Sequence, residues 1–325
     1  MNPTRLLITE AFFEPMLAQL HAALEHAGIE MSVRFRPSGS ATTEDFEWAD
    51  SWLGFQTTGH PEHTSIRWFH SASDGINQFL PMHAKFSASG VILTHTVGTM
   101  PERIAEYCVA AVLGQIVGLP EYRVFQNAGE YHRRGNPTAL GRKLTVIGTG
   151  HVGAKIAERF RPFLSTTPVH EHSEPLVRGL SLSGKPKPAF DVVAPLSSGK
   201  YLADADILVM ILPDTPESMN VVSTDVLNAL NGALVVNVGR GNTLDSDALH
   251  TALDNGSVSH AILDVFETEP LPSTDWRWHH PKVTLTPHVS GYTYFSDVIE
   301  DFIANLRAIR AGQEPPHLVT LSQGY

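Results

Sequence analysis

Short apolar runs alternate with amphipathic stretches along most of the chain. Leu6-Leu7-Ile8 reads as a strand, and the spacing of Met16, Leu17, Leu20, Ala23 and Leu24 predicts a helix that Gly28 closes. Ser32–Phe35 predicts the next strand and Thr43–Trp48 an acidic helix start. Ser51–Phe55, Ile66–His70 and Val91–Leu93 predict three more strands. Strand and helix thus alternate over residues 1 to 98, which implies a parallel sheet. A long apolar helix follows over Pro101–Leu119, stopped or kinked by Pro120, and then a polar loop over Gly129–Pro137. A second alternation starts at Lys143. Its strands are Leu144–Ile147, a weak one at Pro168–His170, Val192-Val193, Ile207–Leu212, Leu234–Val238, Ala261–Val265 and Val283–Thr286. Ser173–Ala189, broken by prolines and glycines, reads as a surface loop, and Ser296–Ala311 as the last helix.

Two such alternations in 325 residues suit two domains at roughly 100–200 residues each. Hydrophobic residues make up 42% and charged residues 18%, which is ordinary for a globular chain and wrong for a disordered one. The formal net charge of −11 argues against a surface built for nucleic acid or an anionic membrane. Cys108 is the one cysteine, so a disulfide framework and a thiolate zinc cluster are both excluded. Glu10 and Glu14 interrupt any signal-peptide core, and the apolar stretch Val109–Leu119 falls short of a membrane span. The expectation is a soluble, cytoplasmic protein.

The strand Leu144–Ile147 runs into Gly148-Thr149-Gly150-His151-Val152-Gly153, and helical spacing follows. The first glycine permits a tight turn, the second lets a pyrophosphate approach the backbone, and the third lets helix and strand pack closely. His151 and Val152 then open a helix whose free N–H groups face the phosphates. The bare glycine pattern is weak; the flanking strand and helix lift it to a dinucleotide site. Glu171 stands where an acid would take the adenosine ribose hydroxyls, favouring NAD, although His170, His172 or Ser173 in that register would admit NADP.

Three later strands end in a charged or titratable residue. Leu234–Val238 leads to Gly239-Arg240-Gly241, Ala261–Phe266 to Glu267-Thr268-Glu269-Pro270, and Val283–Pro287 to His288. In an open parallel sheet ligands sit outside the carboxyl ends of the strands. Hydride transfer to a carbonyl needs a proton at its oxygen, which His288 can supply near neutral pH. Glu269 would orient the imidazole, and Arg240 offers a fork of donors to a 2-oxo carboxylate.

These blocks, with Asp245, Ala248-Leu249, Leu271-Pro272, Ala105-Glu106-Tyr107 and Gly324-Tyr325, resemble the D-isomer-specific 2-hydroxyacid dehydrogenases over nearly the whole chain. The resemblance implies a Rossmann-type doubly wound cofactor domain over 99–289 and a discontinuous, flavodoxin-like α/β substrate domain over 1–98 and 290–325. It implies Arg240, Glu269 and His288 as the catalytic set, and NAD or NADP as cofactor. Val238 and Gly239 would lie beside the cofactor, and Asp264 would hold the nicotinamide carboxamide. Asp74, Gly75 and Ile76, with Arg240, would receive the substrate carboxylate, and the usual assembly is a homodimer. The implied activity interconverts a small 2-oxo acid, such as glyoxylate or hydroxypyruvate, and its D-2-hydroxy acid. Asp74-Gly75-Ile76-Asn77 departs from the Ala-Gly-Val-Asp of many members. Formate dehydrogenases share the fold but carry Gln in place of Glu269. Two other classes stay open: a non-catalytic dinucleotide-sensing scaffold of the same fold, and a dehydrogenase for another substrate. The 17 histidines suggest no metal set, since no carboxylate or cysteine completes a recognisable ligand set at His60/His63 or His279/His280, and both pairs lie in polar loops. Cys108 reads as packing, and Trp52 and Phe55 as strand-end residues that pack or line the substrate pocket.

Overall fold

Two parallel sheets organise the chain in the computed structural model, which describes residues 2–319 apart from 38, 56–64, 74, 76–78, 80–88, 136 and 166–173. The chain divides into two compact units, Met1–Met100 with Thr293–Tyr325, and Pro101–Tyr292.

In the first unit, β1 (Arg5–Ile8), β2 (Ser32–Phe35), β3 (Ser51–Gly54), β4 (Trp68–Ser71) and β5 (Ile92–His95) form a sheet of order β2-β1-β3-β4-β5. All pairings are parallel, and this order is the flavodoxin-like one. Helix α1 (Leu17–His26) covers one face through Leu20 and Leu24. Helix α2 (Thr43–Trp48) starts on a reciprocal capping box between Thr42 and Asp45. The C-terminal helix Phe295–Arg310 returns to this unit. It lays Val298, Phe302, Leu306 and Ile309 against Leu6, Ile8 and Trp68, which makes the unit discontinuous in sequence. Its Asp301 accepts from the backbone N–H groups of Val97 and Gly98, both at 2.8 Å. Burial works against ionisation of Asp301, but His317 and those two N–H groups hold its carboxyl below the usual range.

The second unit opens with α3 (Met100–Ile116) and α4 (Leu119–Ala128). They replace the single helix that the apolar spacing predicts. Gly118, at φ +76°, breaks the run, and Pro120 starts α4 instead of ending α3. The axes bend by 57°, and among the described residues no single helix is long and apolar enough to cross a membrane.

Its sheet contains β6 (Leu144–Ile147), β7 (Val177–Ser181), β8 (Val192–Pro195), β9 (Ile207–Met210), β10 (Ala233–Asn237), β11 (Val258–Leu263) and β12 (Val283–Leu285). The order is β12-β11-β10-β9-β6-β7-β8, all parallel. This is the doubly wound Rossmann arrangement, extended by one strand. The order reverses between β6 and β9, so the switch point lies at the carboxyl end of β6. Helices α5 (His151–Leu164), α6 (Thr224–Asn228) and α7 (Ser246–Asn255) complete the unit.

The second strand of this sheet is a correction to the sequence reading. β7 pairs with β6 from Leu144↔Val177 to Ile147↔Leu180, inside the stretch predicted as a surface loop. The predicted strand at Pro168–His170 lies outside the described residues. A polar residue hid β7: Arg178, 1% exposed, ends on the Asp204 carboxylate at 2.7 Å and interrupts the apolar run.

Candidate active site

The turn after β6 is built as the glycine pattern requires. Gly148 has φ +106°, and a Cβ there would stand 2.2 Å from the Ile211 carbonyl oxygen. A Cβ on Gly153 would stand 1.9 Å from the Gly148 oxygen, so α5 can pack on the turn only with glycine there. A Cβ on Gly150 would meet nothing within 4 Å. That open side, at the N-terminus of the 14-residue α5, is where a pyrophosphate can approach the backbone. His151 is exposed and Val152 half-buried in the first turn of α5. The residues present fit a dinucleotide.

Glu171 lies outside the described residues. It precedes β7 in sequence, so it is not the residue beyond the carboxyl end of the second strand, where the ribose acid was expected. That end carries Ser181, Leu182, Ser183, Gly184, Lys185 and Lys187 and no carboxylate. Ser181 Oγ accepts from the Gly184 N–H, and Gly184 turns the chain at φ +63°.

The ends of β10, β11 and β12 are neighbours, because Asn237 aligns with Leu263 and Leu263 with Leu285. His288 follows β12, and its Nδ1 lies 2.8 Å from Glu269 Oε2. The other Glu269 oxygen accepts from the Phe266 N–H at 2.9 Å, which fixes the carboxylate. With Nδ1–H committed to Glu269, Nε2 is the nitrogen left to exchange a proton, and the His288 side chain is 48% exposed. His288 has φ +54°, uncommon for a residue with a Cβ.

Arg240 forms no hydrogen bond or ion pair with Glu269 or His288; its guanidinium donates to the Gly239 carbonyl at 2.7 Å. Its loop nevertheless lies against theirs, since a Cβ on Gly241 would stand 1.9 Å from the Phe266 carbonyl carbon. Val238 is buried at the end of β10, and the Gly239 N–H donates to Asn237 Oδ1. Asp264 is fully buried, and its carboxylate accepts from the Thr286 hydroxyl and from the Val289 and Ser290 N–H groups. Of the expected substrate loop, Asp74 and Ile76 lie outside the described residues; Gly75 is described, and its carbonyl accepts from Ser73 Oγ.

Three residues acquire a role here that the sequence did not assign to them. Arg277 sits between two tryptophans, spans Glu267 and Asp275, and so ties down the loop that carries Glu269. Its hydrogen bonds hold the Asp275 carboxyl below the usual range. Tyr107 and Thr286 meet at 2.6 Å behind the His288 turn. Burial pushes the Tyr107 hydroxyl up to about 12 and raises the Cys108 thiol as well, so Cys108 is packing and no nucleophile.

Away from this site, His280 does acquire partners, but from α7 and not from His279. His250, Asp254 and His280 offer ligand atoms within 4.8 Å of one another. The Lys282 N–H donates to His280 Nδ1, which leaves Nε2 as the protonated nitrogen facing Asp254, and His250 stacks on Trp276. Both histidines face Asp254 as loose ion-pair partners, His280 at 3.6 Å and His250 at 3.9 Å.

The family described as "D-isomer specific 2-hydroxyacid dehydrogenase, NAD binding domain" matches residues 109–290. A glyoxylate/hydroxypyruvate reductase A of Yersinia enterocolitica is 31% identical over 246 residues, 73% of this chain and 74% of that protein. A D-isomer-specific 2-hydroxyacid dehydrogenase family protein of Aeromonas salmonicida has a solved structure with TM-score 0.83 and 28% identity, covering 98% of this chain and 99% of that one. A D-isomer-specific 2-hydroxyacid dehydrogenase of Xanthobacter autotrophicus, solved with NADPH and MES, gives TM-score 0.83 at 26% identity, covering 99% of this chain and 100% of that one. With its glycine turn, its Rossmann sheet and these relatives, the chain is an NAD(P)-dependent oxidoreductase that belongs to the D-isomer-specific 2-hydroxyacid dehydrogenase family.

Proposed function

We propose that this enzyme reduces a short 2-oxo acid of the glyoxylate or hydroxypyruvate kind to its D-2-hydroxy acid, with NADPH as the donor. The observation that carries the reading is the His288–Glu269 pair at 2.8 Å, which leaves Nε2 free to work on a substrate. The bound nicotinamide would supply the hydride that adds to the carbonyl carbon. Protonated His288 gives its Nε2 proton to the carbonyl oxygen, so the oxo group gains one hydride and one proton and becomes a hydroxyl. Glu269 holds the imidazole orientation through Nδ1. Arg240 pairs with the substrate carboxylate and polarises the carbonyl, and the backbone N–H groups of Asp74, Gly75 and Ile76 receive the other carboxylate oxygen. Gly148–Gly153 would hold the pyrophosphate, with Val238, Gly239 and Asp264 at the nicotinamide end.

The choice of NADPH rests on the end of β7. Two serine hydroxyls and two lysines there, with no carboxylate before Asp191, suit a 2′-phosphate better than a free ribose diol. The relative solved with NADPH is in keeping with this. We also propose a homodimer. No residue of α4 is buried, Val124 on it is 65% exposed and the nearby Tyr131 is 97% exposed, an apolar surface that a second copy would cover. A cytoplasmic location accords with the single, buried cysteine.

The test is steady-state reduction of glyoxylate, hydroxypyruvate and pyruvate with NADPH and with NADH. Turnover of the first two, faster with NADPH, is expected. Lys185→Ala should narrow the preference, and His288→Ala should lower kcat by about 100-fold or more with little change in NADPH affinity. Binding of NADPH without reduction of any 2-oxo acid would replace this reading with the sensing scaffold. Elution at the mass of one chain would remove the dimer.

A further inference from the structure

We propose that Tyr107, Thr286 and Asp264 form a buried brace that holds the left-handed turn at His288 and so aims its imidazole; the three are positioning residues for the proton transfer. The inference rests on the reading of His288 as the acid, and it starts from proton accounting. Thr286 Oγ1 carries one proton and donates it to Asp264 Oδ1 at 2.5 Å. The Tyr107 hydroxyl, 2.6 Å from the same oxygen, must therefore be the donor in their bond. The chain has one direction, from Tyr107 through Thr286 to Asp264. Burial keeps the Tyr107 proton in place across any assay pH, since its hydroxyl titrates only near about 12.

What Asp264 does with the rest of its capacity is the second observation. The His288 N–H donates to the Asp264 carbonyl at 2.8 Å. The Val289 N–H donates to Oδ1 at 3.0 Å and the Ser290 N–H to Oδ2 at 2.9 Å. Three consecutive N–H groups thus end on one residue at the end of β11. A residue with a Cβ rarely adopts the φ of +54° found at His288, and it persists only where the surroundings fix it. Asp264 supplies that constraint, and Thr286 and Tyr107 orient its carboxylate from behind. Hydrogen bonds in series polarise one another, so the Tyr107 bond strengthens the bond by which Thr286 fixes the Asp264 carboxylate. With no exposed surface, Asp264 commits its carboxylate oxygens to Thr286 and to the turn that carries His288.

The experiment compares full-length wild type, Thr286→Val, Thr286→Ser and Tyr107→Phe. Val keeps the shape of Thr286 without the hydroxyl; Ser keeps the hydroxyl. Amide hydrogen exchange is read on the peptide spanning 286–292, together with kcat for glyoxylate and Kd for NADPH. For Thr286→Val we expect exchange at 288–290 to quicken by about tenfold or more and kcat to fall by about tenfold. Misplacing a reacting group by ~1 Å can reach 100-fold. NADPH Kd should stay within about twofold of wild type, and a loss of 1.4 kcal/mol would be tenfold. Tyr107→Phe should move the same readouts by less, and Thr286→Ser should restore them. Unchanged exchange overturns the brace. Faster exchange with unchanged kcat overturns its service to proton transfer, and a Kd raised tenfold at unchanged kcat assigns Asp264 to the carboxamide instead. If wild type reduces no 2-oxo acid, the proposed function fails, while the exchange comparison still decides whether the brace exists.

Discussion

Two alanine substitutions in one turn should separate folding from cofactor binding. A Cβ on Gly153 would stand 1.9 Å from the Gly148 oxygen, whereas an ordinary carbon–oxygen contact is about 3.3 Å, so α5 or the turn must shift by about 1.4 Å. The turn cannot yield easily, because Gly148 is itself wedged against the Ile211 carbonyl. Overpacking of this kind destabilises by about 1–3 kcal/mol, and in a unit of this size each kcal/mol lowers Tm by roughly 2–4 °C. Gly153→Ala should therefore melt about 2–12 °C below wild type without any cofactor present. Gly150 is the opposite case. Its Cβ would meet nothing within 4 Å, and its φ of −72° is open to alanine. Gly150→Ala gives up only the N-cap preference for glycine, about 0.5–1 kcal/mol, so the free protein should melt within about 4 °C of wild type. The new methyl group occupies the space where the pyrophosphate would lie, and NADPH affinity should fall at least about tenfold, or ~1.4 kcal/mol. Differential scanning fluorimetry and titration of NADPH fluorescence read the two effects. Wild-type affinity in Gly150→Ala would show that the dinucleotide does not lie along this turn, and wild-type stability in Gly153→Ala would refute the packing argument.

Glu269→Gln should lower kcat for reduction by about tenfold or more at unchanged NADPH affinity, because the imidazole loses the carboxylate that orients it at 2.8 Å; steady-state rates check it, and an unchanged kcat removes Glu269 from the proton machinery. Stability should fall as pH drops below about 6.5. Desolvation pushes fully buried His70 down to about 3 and His260 down to about 4, so the folded state refuses protons that the unfolded chain accepts. Each such histidine contributes stability that is present above its ordinary value of 6.5 and lost towards its folded value, at up to about 1.4 kcal/mol per pH unit. Urea midpoints between pH 7 and 5 should decline in wild type and more gently in His70→Gln; equal slopes would deny His70 the effect. Asp301→Asn should loosen Val97 and Gly98 at the end of the first unit, seen as faster amide exchange there, since both N–H groups end on one carboxylate oxygen.

Legibility followed burial. Strands that are fully buried and apolar but for Thr145, such as Leu144–Ile147 and Ile207–Met210, could be read directly from their apolar runs. β7 could not. Its Arg178 is 1% exposed only because Asp204, distant in sequence, receives the guanidinium, and its Gly179 is required because a Cβ would stand 2.6 Å from Thr149 Cγ2. Local propensity counts both residues against a strand, and only the finished sheet reverses that count. The error then spread to the site, since placing the second strand too early made Glu171 the ribose acid. The break between α3 and α4 is expected at Pro120 but made at Gly118, because apolar spacing continues through that glycine and a backbone φ of +76° has no trace in hydrophobicity.

The site divides in the same way. His288, Glu269 and Arg240 were visible because a strand ending in a functional group is a local pattern, and the fold brings neighbouring strand ends together without further information. Tyr107 and Thr286 were invisible in that role because their link spans 179 residues and depends on which way a hydroxyl points. A titratable group that meets substrate must be polar, exposed and near a strand end, and sequence shows each of those conditions. A group that aims it need only be buried and correctly hydrogen-bonded, and those conditions exist only in three dimensions. Substitutions in the second set should therefore act on kcat through the geometry of His288, while the first set acts through the reacting atoms themselves.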